Sequence, residues 1–493
     1  MTVAYLLGAA ILLPILAGFL LLFTQGKWKN RTVKCLFLFL VFVITTIFSV
    51  KLMLVGDYQF PLWKLTDTLE VLVRMDHLTR LFLGMTVAAW TLGGVFAFEY
   101  MKHEQKEDRY FGFYLIVLGV LIALDHAGNL VTLYLFFELM TLTSLPLVLH
   151  NLSHEAVMAG LKYLFYSVAG AFAALFGIFY LYSHGAGSMF AEGGYLADIS
   201  YTGSQGMTLL VLFLMILGFG TKAGMFPMHG WLPTAHPVAP APASAVLSGI
   251  ITKSGVLAII RVVFYTAGAD YLRGTWVQYA WMTLTLITVF MGSMMAYKEQ
   301  VLKKRLAYST VSQVSYILFG LSLLNVSGIV GALSHFVFHS VVKNCLFLCA
   351  GAVIYKTGKT MVKDLKGIGK EMPITMWCFT LVSVTLVGIP PTSGFVSKWY
   401  LATGSLETGM TGYAWAGPII LLLSAMLTAG YLLPVSILAF FPGHQYDYEQ
   451  VQKREPNLLM LVPMGLFTIA AVVFGIFPGT FMNYLQKIAM TVL

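Results

Sequence analysis

Apolar runs of membrane-spanning length recur along the whole chain, beginning near Val3, Val33, Leu78, Phe111, Asn129, Leu161, Met207, Pro242, Trp276, Leu306, Ser327, Pro373, Pro418 and Leu458. A helix needs about 20 residues, at 1.5 Å each, to cross a hydrocarbon core about 30 Å thick. The pattern therefore predicts an all-α polytopic membrane protein with about fourteen transmembrane helices. A soluble fold is excluded, because at 58% hydrophobic and 10% charged residues the chain carries more apolar surface than one could hide. The first run, from Thr2 to Phe23, lacks a basic lead and a small-residue cleavage site and is too long for a signal-peptide core, so it is expected to remain as a span.

The formal charge of +9 comes from basic residues in short loops between apolar runs, which speaks for membrane topology and not for a nucleic-acid partner. One set of loops carries Lys27, Lys29 and Arg31; Lys102, Lys106 and Arg109; Lys298, Lys303, Lys304 and Arg305; Lys356, Lys359, Lys363, Lys366 and Lys370; and Lys453 with Arg454. The opposite set carries little beyond Lys64, Arg74 and Arg273, and its longest member, Ser183 to Gly206, has no Lys or Arg. By the positive-inside rule the first set is cytoplasmic, and an even number of spans puts both termini outside a prokaryotic-type cell membrane. Between the second and third runs, Gly56 to Asp76 alternates as a short β-hairpin outside the bilayer does.

Within this apolar background the stretch from Gly218 to Lys253 (GFGTKAGMFPMHGWLPTAHPVAPAPASAVLSGIITK) stands apart. It carries Lys222, breaks at Gly224, Pro227, Gly230 and Pro233, crosses a loop with His229 and His236, and re-enters an apolar run holding Lys253. A lysine in hydrocarbon costs several kcal/mol, so it faces protein or water unless it snorkels to the interface. A helix break at membrane depth survives only where protein or a water-filled cavity satisfies the freed backbone. The two together describe the wall of a polar path. A second break, Gly388-Ile-Pro390-Pro391-Thr-Ser-Gly394, interrupts the twelfth run just before Lys398. Paired broken helices are the trace of inverted repeats. The expected layout is helices one to three over residues 1–109, a five-helix repeat over 110–266, its inverted counterpart over 274–442, with the seventh and twelfth helices broken, and a last helix over 457–493.

Glu138 lies about ten residues into the fifth run, near the bilayer midplane, with Lys222 as its evident partner. His335, His339 and Lys343 follow at intervals of four, on one helix face, in steps of about 6 Å that water can bridge. Such a ladder suits proton relay, since histidine titrates near neutral pH. A structural polar seam would use the same spacing, and zinc can bind His at i and i+4. No carboxylate or cysteine matches that face, so no metal is expected. Lys398 either completes the path or snorkels beside Trp399 and Tyr400. His229 and His236 are candidates for proton uptake or ordinary loop histidines. Coupling supplies the mechanism: a carboxylate holds a buried lysine charged, and moving or neutralising it releases the proton.

GFGTKAG is neither a P-loop nor a dinucleotide fingerprint and sits inside a membrane helix. Cys35, Cys345, Cys349 and Cys378 form no CxxC pair. No cofactor, disulfide or redox or hydrolytic site is therefore expected, and any enzymatic step belongs to a larger assembly.

From the MDHLTRLF segment to the fourteenth run, with FFELM, GFGTKAGMFPMHGWLPTAHPVAPAPASAVLSG, HFVFHSVVKNCLFL and GIPPTSGFVSKW, the chain resembles the antiporter-like proton-translocating subunits of complex I, membrane-bound hydrogenases, formate hydrogenlyases and Mrp antiporters. The resemblance implies Glu138 and Lys222 as a coupled pair, Lys253 as a link, His335, His339 and Lys343 as the central relay, and Lys398 as the terminal site. It also implies further membrane subunits, including other antiporter-like chains, as partners. Lysine at position 398 looks like the D-type chain of Mrp antiporters, the antiporter-like chain of hydrogenases and some complex I subunits. The sequence runs only to Leu493, so a member without the long lateral helix or the extra domains of the A-type Mrp chain is expected. Asn344 departs from the small apolar residue expected after the relay lysine. The rival reading is a stand-alone secondary transporter for an organic solute, which should present recognition groups near the midplane in place of a row of titratable ones.

Overall fold

The computed structural model describes residues 3–28, 30–64, 66, 69–185, 189–197, 201–443 and 451–493; Lys29 of the basic loops lies outside them. Helices α1 (Val3–Phe23) and α2 (Arg31–Leu54) lead into a hairpin of β1 (Tyr58–Lys64) and β2 (Glu70–Met75). There follow α3 (His77–Tyr100), α4 (Glu107–Asp125), α5 (Leu130–Val148), α6 (His154–Ser183) and α7 (Gln205–Ala223), then a short α8 (Leu232–Val238). Next come α9 (Ala241–Ala267), α10 (Trp276–Lys298), α11 (Leu302–Ser322) and α12 (Val326–Thr357). The chain closes with α13 (Pro373–Val387), α14 (Ser393–Glu407), α15 (Tyr413–Phe440), α16 (Leu458–Ile476) and α17 (Gly479–Val492).

Eleven helices among the described residues are long and apolar enough to span a bilayer. Helices α4 and α11 have spanning length but carry charged residues in their first turns, and α13 with α14 make one broken span, which brings the count to the expected fourteen. The hairpin forms where the alternation placed it, pairing antiparallel from Tyr58–Met75 to Lys64–Glu70.

Burial is ordered by polarity. The most hydrophobic helices, α1 and α2, stand at the rim, whereas the spans that hold lysines and histidines are buried, α9 throughout and α12 from Gly328 to Val353. A polar group costs least where other protein can satisfy it, so the polar helices take the centre and the Leu/Phe-rich ones face lipid. The two sets of loops separate cleanly. At one end Lys34 pairs with Glu107 and Asp108, His150 Nε2 meets the Gln105 carbonyl at 2.9 Å, and Arg454 N donates to the Glu371 carbonyl at 2.8 Å. At the other end Arg74 pairs with Glu192, and Tyr484 bonds the His77 carbonyl.

Helices α4 to α9 and α10 to α15 match in proportion. Each set has its longest helix third, α6 with 30 residues and α12 with 32, and a broken helix fourth. The breaks differ from expectation in detail. Pro233 lies in the first turn of α8 and Gly394 in the first turn of α14, so neither interrupts a helix. A proline at the start of a helix forgoes an N–H that has no intrahelical acceptor anyway, so it opens α8. The chain turns instead at Gly224 (φ +78°) and Gly388 (φ +88°), in the left-handed region that ends helices. Pro227, Pro390 and Pro391 follow within the breaks themselves.

Candidate functional site

The site begins where α6 and α7 touch backbone to backbone. A Cβ on Gly218 would lie 2.3 Å from the Gly170 carbonyl oxygen, so only glycines permit the contact. That approach brings Tyr163 and Ser167 of α6 to Lys222 in the last turn of α7. The Lys222 ammonium donates to Thr141 Oγ1 at 2.9 Å, Tyr163 OH at 2.8 Å and Ser167 Oγ at 3.1 Å, and lies 4.3 Å from the Tyr163 ring centroid. Three hydroxyls use its three protons. Glu138 sits one turn before Thr141 on α5, half-buried, its Oε1 shielded from solvent and without a hydrogen-bond partner. Its neighbours Leu135, Leu139 and Leu142 are exposed, so this face of α5 opens onto the chain's surface.

Helix α9 crosses α7 just as closely: a Cβ on Gly255 would meet the Phe219 carbonyl oxygen at 2.5 Å and Lys222 Cβ at 3.2 Å. Two residues earlier, Lys253 is buried and donates to the Ser248 carbonyl inside a π-helical turn, Leu247–Ile251. Such turns loosen the regular ladder and are frequent at functional sites. Asn344 of α12 fills the space left at Gly249, its Nδ2 2.0 Å from where a Cβ would stand, and donates to the Ser340 carbonyl at 2.8 Å. The departure from a small residue at 344 is thus met by a glycine across the contact.

On α12, His335, His339 and Lys343 are at most 2% exposed and share a face, as their spacing requires. The His335 and His339 rings lie face to face with centroids 5.9 Å apart. His335 Nδ1 meets Ser397 Oγ at 2.9 Å, while neither ring nitrogen of His339 has a hydrogen-bond partner. Lys343 donates to the Leu306 carbonyl at 3.0 Å and Ser309 Oγ at 2.8 Å. Lys398 does not snorkel. Its ammonium turns back into the break and donates to the Leu386 and Val387 carbonyls, both at 2.7 Å. The free carbonyls at the end of α13 carry negative partial charge and attract a cation there.

His236 is buried in α8 with both ring nitrogens unpartnered and its ring stacked on Phe347, while His229 lies in the break beside Phe226. At the basic-loop end above α8 there is a cavity of about 220 Å³ lined by Tyr100, Glu104, His150, Asn151 and Lys303. Burial, reinforced by Arg109 and Lys106, pushes the His150 imidazole down to about 4.

Residues 127–440 match the family described as NADH:quinone oxidoreductase/Mrp antiporter, transmembrane. The chain belongs to that family. NADH-quinone oxidoreductase subunit N of Desulforudis audaxviator is 33% identical over 396 residues, 78% of this chain and 77% of the relative. The D-type chain of the Na(+)/H(+) antiporter of Bacillus subtilis is 27% identical over 485 residues, 98% of this chain and 96% of the relative. Among solved structures, a chain of the Mrp complex from Dietzia sp. superposes with a TM-score of 0.85 at 20% identity, covering 100% of this chain and 98% of the other. Resemblance and architecture therefore agree on a multi-pass antiporter-like membrane fold.

Sequence reading missed several polar residues of this antiporter-like chain. Lys303, assigned to a cytoplasmic loop, is 6% exposed and donates to the Pro237 and Ala239 carbonyls. Besides Glu138, Asp125 at the end of α4 is an enclosed carboxylate, 4% exposed and accepting from Thr86 Oγ1 at 2.8 Å. Asp76 binds Arg261 of α9 at 2.6 Å and Arg74 at 3.0 Å. Burial alone would raise the Asp76 carboxyl, but Arg261, Arg74 and the Thr79 amide outweigh it and hold it well below the usual range. Their signal was present in part, as the Asp76-x-x-Thr79 spacing of a helix N-cap.

Proposed function

We propose that this chain is the proton-translocating, antiporter-like subunit of a multisubunit membrane complex. The carrying observation is that Lys222, Lys253, Lys343 and Lys398 are ligated by hydroxyls and backbone carbonyls, not by ion-pair carboxylates. Neutral ligands leave each lysine free to change charge, whereas a permanent ion pair would pin it. Glu138 and Lys222 form the coupled pair, Lys253 links it to His335, His339 and Lys343, and Lys398 is the terminal site. His236, below the cavity at Lys303, takes up protons from the basic-loop side. The repeats span 110–266 and 274–442, the basic loops face the cytoplasm and both termini lie outside. Relatives named as subunits of a quinone oxidoreductase and a sodium/proton antiporter favour partners that supply the driving reaction or gradient. The test is to purify the native complex, identify its co-migrating subunits, and compare proton flux in proteoliposomes for wild type and Lys343→Ala. Undiminished flux in an assembled Lys343→Ala complex would refute the assignment.

A further inference from the structure

Lys343 faces two different lanes. Toward Lys398 along its own helix stand His339 and His335, stacked face to face, so a proton passing between them needs bridging water at both rings. The hydrogen bond that Lys343 makes to a side chain points elsewhere, to Ser309 of α11 at 2.8 Å. Tyr431 of α15 bonds the same Ser309 hydroxyl at 2.8 Å and Thr428 Oγ1 at 3.2 Å. One turn along α15, Ser424 joins Ser293 of α10 at 2.6 Å and Ser312 of α11 at 3.3 Å, with Ser293 and Ser312 2.8 Å apart. Tyr316, one turn beyond Ser312, donates to the Leu421 carbonyl at 3.0 Å and presents its ring 5.4 Å from the Lys398 ammonium. Every one of these hydroxyl residues is fully buried.

We infer that these hydroxyls form a second proton lane between Lys343 and Lys398, parallel to the histidine ladder, with Tyr431 and Ser309 at its Lys343 end. The inference rests on the relay reading above. A hydroxyl both donates and accepts, so it can give one proton while taking another and end unchanged after rotation. When Lys343 has lost a proton, it regains one from Ser309, which is refilled by Tyr431; Thr428, which accepts from Tyr431 at rest, refills it in turn by rotating its own proton away from the Ser424 carbonyl. The lane is interrupted twice: between Thr428, whose hydroxyl donates to the Ser424 carbonyl, and the Ser424 hydroxyl one turn away, and between the Tyr316 hydroxyl, held by the Leu421 carbonyl, and the Lys398 ammonium. Gln313 shares the α11 face with Ser309 and Tyr316 and is buried with no well-formed hydrogen bond at either amide atom. A water at the unpartnered Gln313 amide would bridge the first gap, and a second water would bridge the gap at Lys398.

Parallel lanes and a merely structural seam make different predictions for combined variants. Proton flux is measured in proteoliposomes of the whole complex for His339→Ala, Tyr431→Phe and the double variant, with assembly and thermal stability checked for each. Two lanes leave flux in each single variant, and put the double about tenfold or more below the product of the singles, equivalent to about 1.4 kcal/mol of coupling. Ser309→Ala should reproduce Tyr431→Phe, and Ser309→Thr, which restores the hydroxyl, should retain flux. Loss of all flux in His339→Ala alone, or wild-type flux on adding Tyr431→Phe in either background, or simple multiplication of the two effects, overturns the second lane. Lys343→Ala separates the levels: it stops both lanes, and if it does not, the relay reading fails and not only this extension.

Discussion

Glu138 and Lys222 belong to one polar cluster without closing on each other: the Lys222 ammonium is held by Thr141, Tyr163 and Ser167, while Glu138 Oε1, a turn before Thr141, is unpartnered. The carboxylate therefore acts on the lysine through space, and its influence changes whenever its own charge or position changes. Because its side of α5 is open at the chain surface, that change can come from a neighbouring subunit.

Glu138→Ala is expected to abolish proton translocation with the complex still assembled, because it removes the nearby negative charge that modulates Lys222. Glu138→Asp should keep part of the flux, since charge survives with a shorter reach. Flux in the reconstituted complex decides the matter, and an assembled Glu138→Ala complex that pumps normally would show that Lys222 works without its carboxylate.

The break before Lys398 makes a packing prediction. A Cβ on Gly394 would stand 1.8 Å from the Thr385 carbonyl oxygen, so Gly394→Ala must push α14 away from the end of α13. Overpacking of this kind costs about 1–3 kcal/mol, and it removes the carbonyls that hold Lys398. Gly465→Ala, where a Cβ meets nothing within 4 Å, serves as the control. The expected result is a lowered Tm and reduced flux for the first variant and neither for the second; equal Tm values would contradict the close contact.

How far the sequence alone reached follows from the kind of signal each feature leaves. Spans, breaks and buried charges announce themselves as composition, since a lysine among leucines needs no structure to be anomalous. Lys398 shows the limit, for the same sequence fits a snorkelling chain, and only the turn at Gly388 reveals carbonyls within reach. Hydroxyls were illegible for another reason. Ser309, Tyr431 and Ser424 are ordinary residues in membrane helices, and they become a network only because α10, α11 and α15 meet across more than a hundred residues of sequence. Lys303 was hidden by its neighbours Lys304 and Arg305, which made it look like one more loop charge.

His150 predicts a pH dependence of stability. Its folded value, about 4, lies below the ordinary histidine value of 6.5, so between those limits the unfolded chain takes up a proton that the folded one refuses. Stability conferred by the neutral ring is intact above pH 6.5 and declines as the pH falls toward 4. His150→Gln should flatten the fall of Tm between pH 6.5 and 4 without changing it near pH 8. An unchanged slope would mean that His150 is protonated in the folded protein.

Topology is open to direct labelling. A cysteine-reactive probe at Lys363→Cys should be reached only from the cytoplasm, and at Gly203→Cys only from outside, as the loop charges require. Both sites reacting from one face would contradict the count of spans between them.

The ion carried through this chain is expected to be H⁺ and not Na⁺, even where the whole complex exchanges sodium. Sodium is a hard cation that needs several oxygen ligands, preferably with carboxylates among them. Of the groups assigned to the path, Glu138 alone is a carboxylate, and Lys222, Lys253, Lys343 and Lys398 would repel the ion when charged. Two unit charges 4 Å apart still interact by about 4 kcal/mol at an effective dielectric of 20, which is enough to exclude a cation from the path. A proton meets no such barrier, because it moves as the titration of those lysines and of His335 and His339. Sodium movement would then belong to a partner subunit. Proton and sodium flux followed separately in complexes carrying Lys343→Ala or Lys398→Ala should show proton flux lost in both, with any residual sodium movement no longer tied to it. Saturable sodium binding to the complex that disappears with Glu138→Gln would place sodium on this path and rule the assignment out.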